Sequence, residues 1–421
     1  MNTNDLILNN FKVYDKFLVS LKDRDRKILT SLKMMYCVHM QNITKNKVFV
    51  LKQLIRFLGK ILSIPFYTVS LEGVDKQTKN AILENTNIEN DISNMMVIPT
   101  LSIKRNLNIN YNFFMIYKKL FRVMCILLKD SSLNKIYIFS LIHRIIDYLM
   151  VYETLNINKL QLLLIENDRL PSNLALIHLL QDNKKVTIKY DNWLIDPINH
   201  NDVYCDYYYY PSIYHKNIIE SFSSNKQLKY IKGGFLHWDK LYNYTDVSNK
   251  RIINIIYFTQ LGISKKEQLQ YISDIIEVLK LLNIEFLISI KIHPREKTTD
   301  YKEFKDISTY IKIINISEDI YTLITKANYC FSVFSTISIE AKHIINNSYF
   351  INYNSDNFTI IDYDKINLDL INNKDVLYNV LKKEYIPVIQ KEFLNNNNCT
   401  FPNTKIKLQR FIDDINNNTL I

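Results

Sequence analysis

Two short stretches carry the side chains best suited to chemistry. Lys291-Ile292-His293-Pro294-Arg295 sets an imidazole between two cations, and Pro294 stops any β-ladder there. His293 therefore sits where a strand opens into a loop. The second stretch, Phe334-Ser335-Thr336-Ile337-Ser338-Ile339-Glu340-Ala341, reads as the first turn of a helix with hydroxyls at its mouth. Free backbone N–H groups and the positive end of the helix dipole favour an anion at such a turn, so a strand leading into it is a common phosphate holder. Each feature also has a plainer reading. His293 could cap a strand, Ser335 and Thr336 could be ordinary N-cap residues, and Glu340 suits either a nucleotide ribose or a bond to neighbouring backbone.

These residues need strands behind them. Residues 284–290 are short, β-branched and aromatic, and read as the buried strand before His293; residues 329–333 read as the strand before Ser335. If those two strand ends lie side by side, the His-Pro loop and the Ser-Thr turn face one ligand at the carboxyl edge of one sheet. The surrounding chain alternates in the same way. Strands are expected at 160–165, 185–189, 206–210 and 228–231, with helices at 172–181 and 214–223. A second series has strands at 252–259, 311–314 and 348–352 and helices at 265–282, 320–327, 335–345, 369–382 and 405–415. Such alternation means βαβ units and mainly parallel sheets. The Tyr-rich run 207–210 reads as a buried or interface strand rather than a base-stacking platform.

Residues 1–150 are instead rich in helical periodicity. In residues 48–62, Leu51, Leu54, Ile55, Leu58, Ile61 and Leu62 share one face and Lys52, Arg56 and Lys60 form a basic line on another. That pattern fits a helix resting on an anionic membrane surface, or a core helix with a solvated basic face. Residues 136–151, broken by His143, Arg144 and Asp147, read as a buried helix rather than a span. Asp23-Arg24-Asp25 and Asp362-Tyr363-Asp364 match the D-x-D of metal-dependent sugar transfer; the first lies in a charged helical run and reads as a solvated helix, the second in a turn-like setting.

Bulk properties narrow the class. The 421 residues suffice for two domains, and 47% hydrophobic content supports full cores. Only five glycines occur, at spacings that exclude a P-loop and a G-x-G-x-x-G turn, so any phosphate is held without a glycine cradle. A net charge of +11 suits anionic partners. Five scattered cysteines with no C-x-x-C pair argue for reduced thiols and against a zinc site. No signal peptide and no membrane span is expected, which points to the cytoplasm, at the inner face of the membrane if the basic helix rests there.

The 291–295 motif and Ser335-Thr336 with Glu340-Ala341 behind resemble the C-terminal half of bacterial sialyltransferases and polysialyltransferases. Similar elements occur in related capsule and lipopolysaccharide transferases and in teichoic-acid polymerases. Residues 255–260 are similar to the strand that opens the donor domain there, and Gly233-Gly234 through Trp238-Asp239 resembles the element that closes the acceptor domain. The resemblance covers about residues 158–355; residues 1–150 match no known pattern. It implies an α/β fold of GT-B type: two Rossmann-like domains facing a cleft, here with a helix-rich N-terminal region. Residues 1–241 would form the acceptor side (1–150 helix-rich, 158–241 Rossmann-like), 242–250 the linker and 251–421 the donor-binding domain.

The resemblance also implies inverting, metal-independent transfer of a sugar, with the nucleotide-sugar (a CMP-sugar foremost) as co-substrate and no cofactor. The acceptor would be a glycan or lipid-linked glycan. His293, Ser335 and Thr336 would bind the donor phosphate, with Lys291, Pro294, Arg295 and Glu340 around them. An acidic strand end of the first domain would be the general base. Physically, donors aimed at the departing anion lower the barrier, and a carboxylate must take the acceptor's proton. The base falls among Asp168, Glu166 and Asp191; the family's two carboxylates followed by Gly are replaced by Glu166-Asn167-Asp168-Arg169, and its Gln-His-Gly by Lys189-Tyr190-Asp191. Asp168 beside Arg169 also reads as a simple ion pair. Rival readings are a CDP-alditol phosphotransferase, a UDP-sugar glycosyltransferase and a GT-B-like sugar-nucleotide 2-epimerase. A basic nucleic-acid-binding protein is the non-enzyme rival, disfavoured because the charge is spread and no binding motif occurs.

Overall fold

The computed structural model describes residues 3–43, 47–72, 78–83, 100–105, 112–130, 133–157, 160–191, 202–239, 241, 244, 252–261, 263–301, 310–314, 318–345, 347–353, 369–383 and 403–417. Asp362-Tyr363-Asp364 and most of the expected linker lie outside them. Contacts divide the chain into two units. The first holds Met1–Tyr210, Lys216–Lys232 and Lys405–Ile421; the second holds Pro211–His215 and Gly233–Thr404. The boundary read from sequence at 242–250 thus falls earlier by contact, after residue 232. The C-terminal helix groups with the first unit because Phe411 packs edge-on against Tyr207, ring centres 5.3 Å apart.

The first unit begins with three helices, α1 (Thr3–Val19), α2 (Asp23–Ile43) and α3 (Lys47–Ser63). A 3₁₀ turn through Pro65 ends α3 and opens β1 (Tyr67–Glu72), which pairs antiparallel with β3 (Thr100–Arg105). Between them lies β2 (Asn80–Leu83); α4 (Phe113–Lys129) and α5 (Lys135–Thr154) follow. β1, β2 and β3 add short strands to the helix-rich expectation for residues 1–150: they are too short for their period to stand out. α5 is the buried helix expected. Leu141, Ile142, Ile145, Ile146, Leu149 and Val151 are all buried, and it packs against α2, α3, α4 and α6 (Pro171–Asp182). Asp23 and Asp25 sit in the first turn of α2, where the dipole favours acids, and Arg122 pairs with Asp25 at 2.6 Å.

A five-stranded parallel sheet is the unit's centre, in the order β2, β4 (Leu162–Ile165), β5 (Val186–Tyr190), β6 (Tyr207–Tyr210), β7 (Lys229–Lys232). β4 is Leu-Leu-Leu-Ile and wholly buried, the continuous apolar run that a sheet covered on both faces requires. Tyr208, Tyr209 and Tyr210 are buried as well. α7 (Ile213–Phe222) precedes β7.

The second unit holds a six-stranded parallel sheet. Its strands are β8 (Ile253–Phe258), β9 (Phe286–Lys291), β10 (Ile311–Ile314), β11 (Tyr329–Ser332), β12 (Ser348–Ile351) and β13 (Leu370–Ile371). Their order across the sheet is β10-β9-β8-β11-β12-β13. Counted along the chain this is 3-2-1-4-5-6, the Rossmann order. The α/β class, the parallel sheets and the helix-rich N-terminal region are therefore as expected. Two details differ. The segment read as one helix at 369–382 begins as β13, because Asn373 caps a separate helix by accepting from Val376 N at 2.9 Å. The strands before His293 and Ser335 are not neighbours, since β8 runs between them.

The local signals that place this sheet are strong. α8 (Lys265–Leu281) starts at a capping box, Ser264 with Glu267, and ends in a Schellman motif with Asn283 left-handed at φ 53°. Asn283 N and Ile284 N close it onto the carbonyls of Lys280 and Leu279, each at 3.0 Å, and the chain turns directly into β9. α9 (Ile320–Thr325), α10 (Thr336–Ile344) and α11 (Lys374–Lys382) complete the unit; α12 (Thr404–Asn416) is the terminal helix.

Candidate functional site

In the 3-2-1-4-5-6 order the chain leaves β8 in one direction and returns to its other side as β11. Such a reversal, at the carboxyl ends of β8 and β11, is where open α/β sheets bind ligands. Thr259 and Gln260 follow β8, Val333 to Thr336 follow β11, and His293 follows β9. β8 thus separates the two motifs by two strand spacings, roughly 10 Å, and its end ties them together. Thr259 Oγ1 accepts from His293 N at 2.8 Å, while Gln260 Oε1 accepts from Phe334 N at 3.0 Å. Gln268 of α8 holds Gln260 in turn, accepting from its N–H at 2.9 Å and donating to its carbonyl at 3.2 Å.

His293 to Glu296 form a tight turn, with Glu296 N donating to His293 O at 2.9 Å. The Glu296 carboxylate folds back under it and accepts from His293 N at 3.2 Å, from Tyr301 Oη at 2.8 Å and from Thr259 Oγ1. Arg295 N donates to His293 Nδ1 at 3.1 Å. That bond fixes the tautomer: Nδ1 is the acceptor, so the neutral ring carries its proton on Nε2. Nε2 has no partner among the described residues and is the donor left for a ligand. Burial lowers the His293 pKa, partly offset by Glu296, which keeps the ring neutral at pH 7. Pro294 and the Arg295 side chain are exposed. Lys291, the last residue of β9, is buried, and its ammonium donates to Glu318 O at 3.0 Å; desolvation lowers its pKa.

Ser335 is the N-cap residue of α10, yet its side chain makes no capping bond. Its backbone is held instead, Ser335 N donating to Ser332 Oγ at 3.2 Å. The other described helices that accompany this sheet, α8, α9 and α11, are capped by Ser264, Asp319 and Asn373. The start of α10 therefore carries a half-exposed Ser335 hydroxyl that is not used as a cap, with Thr336 at the helix's first position. Glu340 lies one turn deeper and is buried. Its oxygens accept from Tyr321 Oη at 2.7 Å and from His237 Nε2 at 3.3 Å. Burial alone would raise its pKa, but these bonds and the His237 charge hold it below the usual range. It thereby anchors the 233–241 segment, whose Trp238 packs on Phe235 and His343.

The carboxyl edge of the first unit's sheet carries the candidate bases. Lys189 is buried at the end of β5, and its ammonium donates to Asp191 Oδ1 at 2.6 Å, to Tyr190 O at 3.0 Å and to Glu166 O. Tyr208 Oη donates to Asp191 Oδ2 at 2.7 Å. Asp191 is thus matched by a cation and a phenol. Glu166 and Asp168 are fully buried. Asp168 Oδ2 accepts from Tyr204 N at 3.1 Å, but Oδ1 has no hydrogen-bond donor, the Arg169 Nε standing 3.8 Å away. Burial pushes the Asp168 pKa up, against the pull of Lys189 and Arg169. Asp168 is accordingly no surface ion pair but an under-bonded buried carboxyl.

Sequence reasoning passed over Glu296, Gln260, Gln268 and Lys189 as working parts. Glu296 follows the His-Pro motif at turn spacing, and Lys189 and Asp191 sit two apart on one strand face; those were the available signals. Two concavities lie at the amino edges of the two sheets: one of about 820 Å³ bordered by Lys185, Asp206 and Tyr204, the residue bonded to Asp168, and one of about 610 Å³ bordered by Asn254 and Glu285. Among the described residues no His/Cys/Asp/Glu cluster could hold a metal ion, and no helix is long and apolar enough to cross a membrane.

No protein-family model and no curated sequence matches the chain. Solved structures do resemble it. The UDP-GlcNAc 2-epimerase of Methanocaldococcus jannaschii, in complex with UDP-GlcNAc and UDP, matches at 14% identity and a TM-score of 0.42, over 80% of this chain and 99% of that one. A wall teichoic acid polymerase, TagF, matches at 11% identity and a TM-score of 0.44, over 93% and 98%. The UDP-GlcNAc 2-epimerase of Neisseria meningitidis matches at 12% identity and a TM-score of 0.39, over 61% and 77%.

Proposed function

We propose that this chain is a GT-B-type glycosyltransferase. It would move a sugar from a nucleotide donor, a CMP-linked acidic sugar foremost, to a glycan or lipid-linked glycan acceptor of a bacterial surface, with inversion and with no cofactor beyond the donor. The observation that carries the reading is what stands around the strand-order reversal: the His293 Nε2–H, the unused Ser335 hydroxyl and the N-terminal turn of α10. All are donors, and the charge that develops on a departing nucleotide is negative, so each strengthens its bond as the glycosidic bond breaks. Arg295 and Thr336 add to the same anion.

The acid–base half of the reaction is assigned to Asp168. Its unbonded Oδ1 and raised pKa suit taking a proton from a hydroxyl better than Asp191, which Lys189 and Tyr208 already occupy. Glu166 remains the neighbouring alternative.

Thermal melting with CMP, CDP, UDP and GDP, in EDTA, tests the reading. A nucleotide bound only by the folded protein stabilises it by about 2.7 kcal/mol at a hundredfold excess over Kd. Stabilisation by CMP, unchanged by EDTA and lost in His293→Ala, is the expected result. The loss should correspond to roughly ten- to hundredfold weaker binding, the worth of a hydrogen bond to a charged group. A response to CDP alone would move the assignment to alditol-phosphate transfer, and to UDP alone to a UDP-sugar transferase or a 2-epimerase. Silence with every nucleotide would sink it.

A further inference from the structure

α3 and α4 of the first unit present a surface that the donor-site reading does not use. On α4, Phe114, Phe121 and Leu128 recur every seventh residue and are 70%, 71% and 49% exposed. On α3, Ile55 and Leu62 repeat the spacing at 61% and 74%. The opposite face of α4, with Ile116, Leu120, Val123 and Leu127, is buried, and both helices pack on α5. They meet where Tyr117 of α4 donates to Ile61 O near the end of α3, at 2.6 Å. Phe114 and Phe121 lie three residues before and four after Tyr117, on the same side of the helix. Single exposed apolar residues need no explanation, but ordered stripes of large ones on adjoining helices do.

Charge says what covers them. Neither helix contains an aspartate or glutamate, while α3 carries Lys47, Lys52, Arg56 and Lys60 and α4 carries Lys118, Lys119, Arg122 and Lys129. Lys60, Lys119 and Arg122 pair with Asp147, Glu153 and Asp25 of the unit itself. Lys52, Arg56, Lys118 and Lys129 are in no ion pair among the described residues and stand beside the exposed apolar stripes. A second copy of the chain on this face would bring like charges together. A bilayer with anionic headgroups offers the two things the face lacks, acyl chain for the aromatics and negative charge for the cations.

We propose that α3 and α4 together form a face that lies on an anionic membrane surface without crossing it. The proposal does not depend on which nucleotide, if any, the second unit binds. It is tested by co-sedimentation of the full chain with phosphatidylcholine vesicles, with and without phosphatidylglycerol. Binding is expected only with the anionic lipid, weakening as salt rises. The pair Phe114→Ser and Phe121→Ser should lower partitioning roughly tenfold or more, and Lys118→Glu with Lys129→Glu should abolish the preference for anionic lipid. Leu281→Ser, at a 74% exposed site on α8 in the second unit, should change nothing. Circular dichroism melting checks that each variant is folded. Equal binding to both vesicle types overturns the proposal. So does binding untouched by the α4 variants, or a lipid-free dimer that those variants dissolve.

Discussion

At the carboxyl edge of the first unit's sheet, the polar groups mostly answer one another: Lys189 is surrounded by Asp191 and two carbonyls, and Tyr208 completes Asp191. At the same edge of the second unit's sheet the backbone is tied down but side-chain donors are left over, at His293 Nε2 and the Ser335 hydroxyl. Two similar sheets have thus put their carboxyl edges to different uses. Within the closed edge, burial raises the pKa of Asp168 and Lys189 only opposes it. An edge with spare donors waits for an anion.

The comparison breaks hardest at Lys189. Lys189→Met leaves Asp191 buried without its cation and should cost about 3–5 kcal/mol, the usual price of removing one partner of a buried ion pair. Urea unfolding would read it as a lower midpoint at unchanged slope. A midpoint within error of the parent would mean that the edge is not closed by this pair.

Acid tests what the two units share. Each has a buried neutral histidine: His178, bonded to Tyr148 Oη at 2.7 Å and pushed down to about 3 by burial, and His343, pushed down to about 4 for the same reason. The unfolded imidazole titrates near 6.5, so below that pH the unfolded chain takes up protons that the folded chain refuses. Stability should be full above pH 6.5 and fall progressively toward the folded values, by roughly 2 kcal/mol per histidine between pH 6.5 and 5. Unfolding midpoints at pH 7.5 and 5 should show the drop, and His178→Gln should flatten part of it. A level profile in the parent would count against both buried rings.

The smallest effect separates a working cap from a spare hydroxyl. Ser264 closes a capping box at α8, whereas Ser335 caps nothing at α10. Ser264→Ala should cost about 1 kcal/mol and leave nucleotide affinity alone. Ser335→Ala should be nearly neutral for stability and weaken nucleotide binding several-fold. The reverse pattern would make Ser335 the structural residue of the two.

Most of the second unit was legible because its signals are local. The Ser264 box, the Asn283 turn and the β-branched runs of β8, β9 and β11 each declare an element within a few residues. What joins them was not. That β8 inserts between the two motif strands is a matter of non-local pairing, which no short window contains. Thr259 and Gln260 read only as the end of a strand because their partners, Glu296 and Phe334, lie far along the chain. The first unit was harder for the opposite reason. β2 is four residues long, and only its pairing with β4 makes it a strand.

The loops after β8 and β11 are joined by Gln260 and Gln268, side chains that bear no formal charge at any ordinary pH. Ion pairs in that place would tighten or slacken each time a doubly negative guest arrived or departed. Amides do neither, so the tie between these two loops carries no charge for salt to screen or acid to remove.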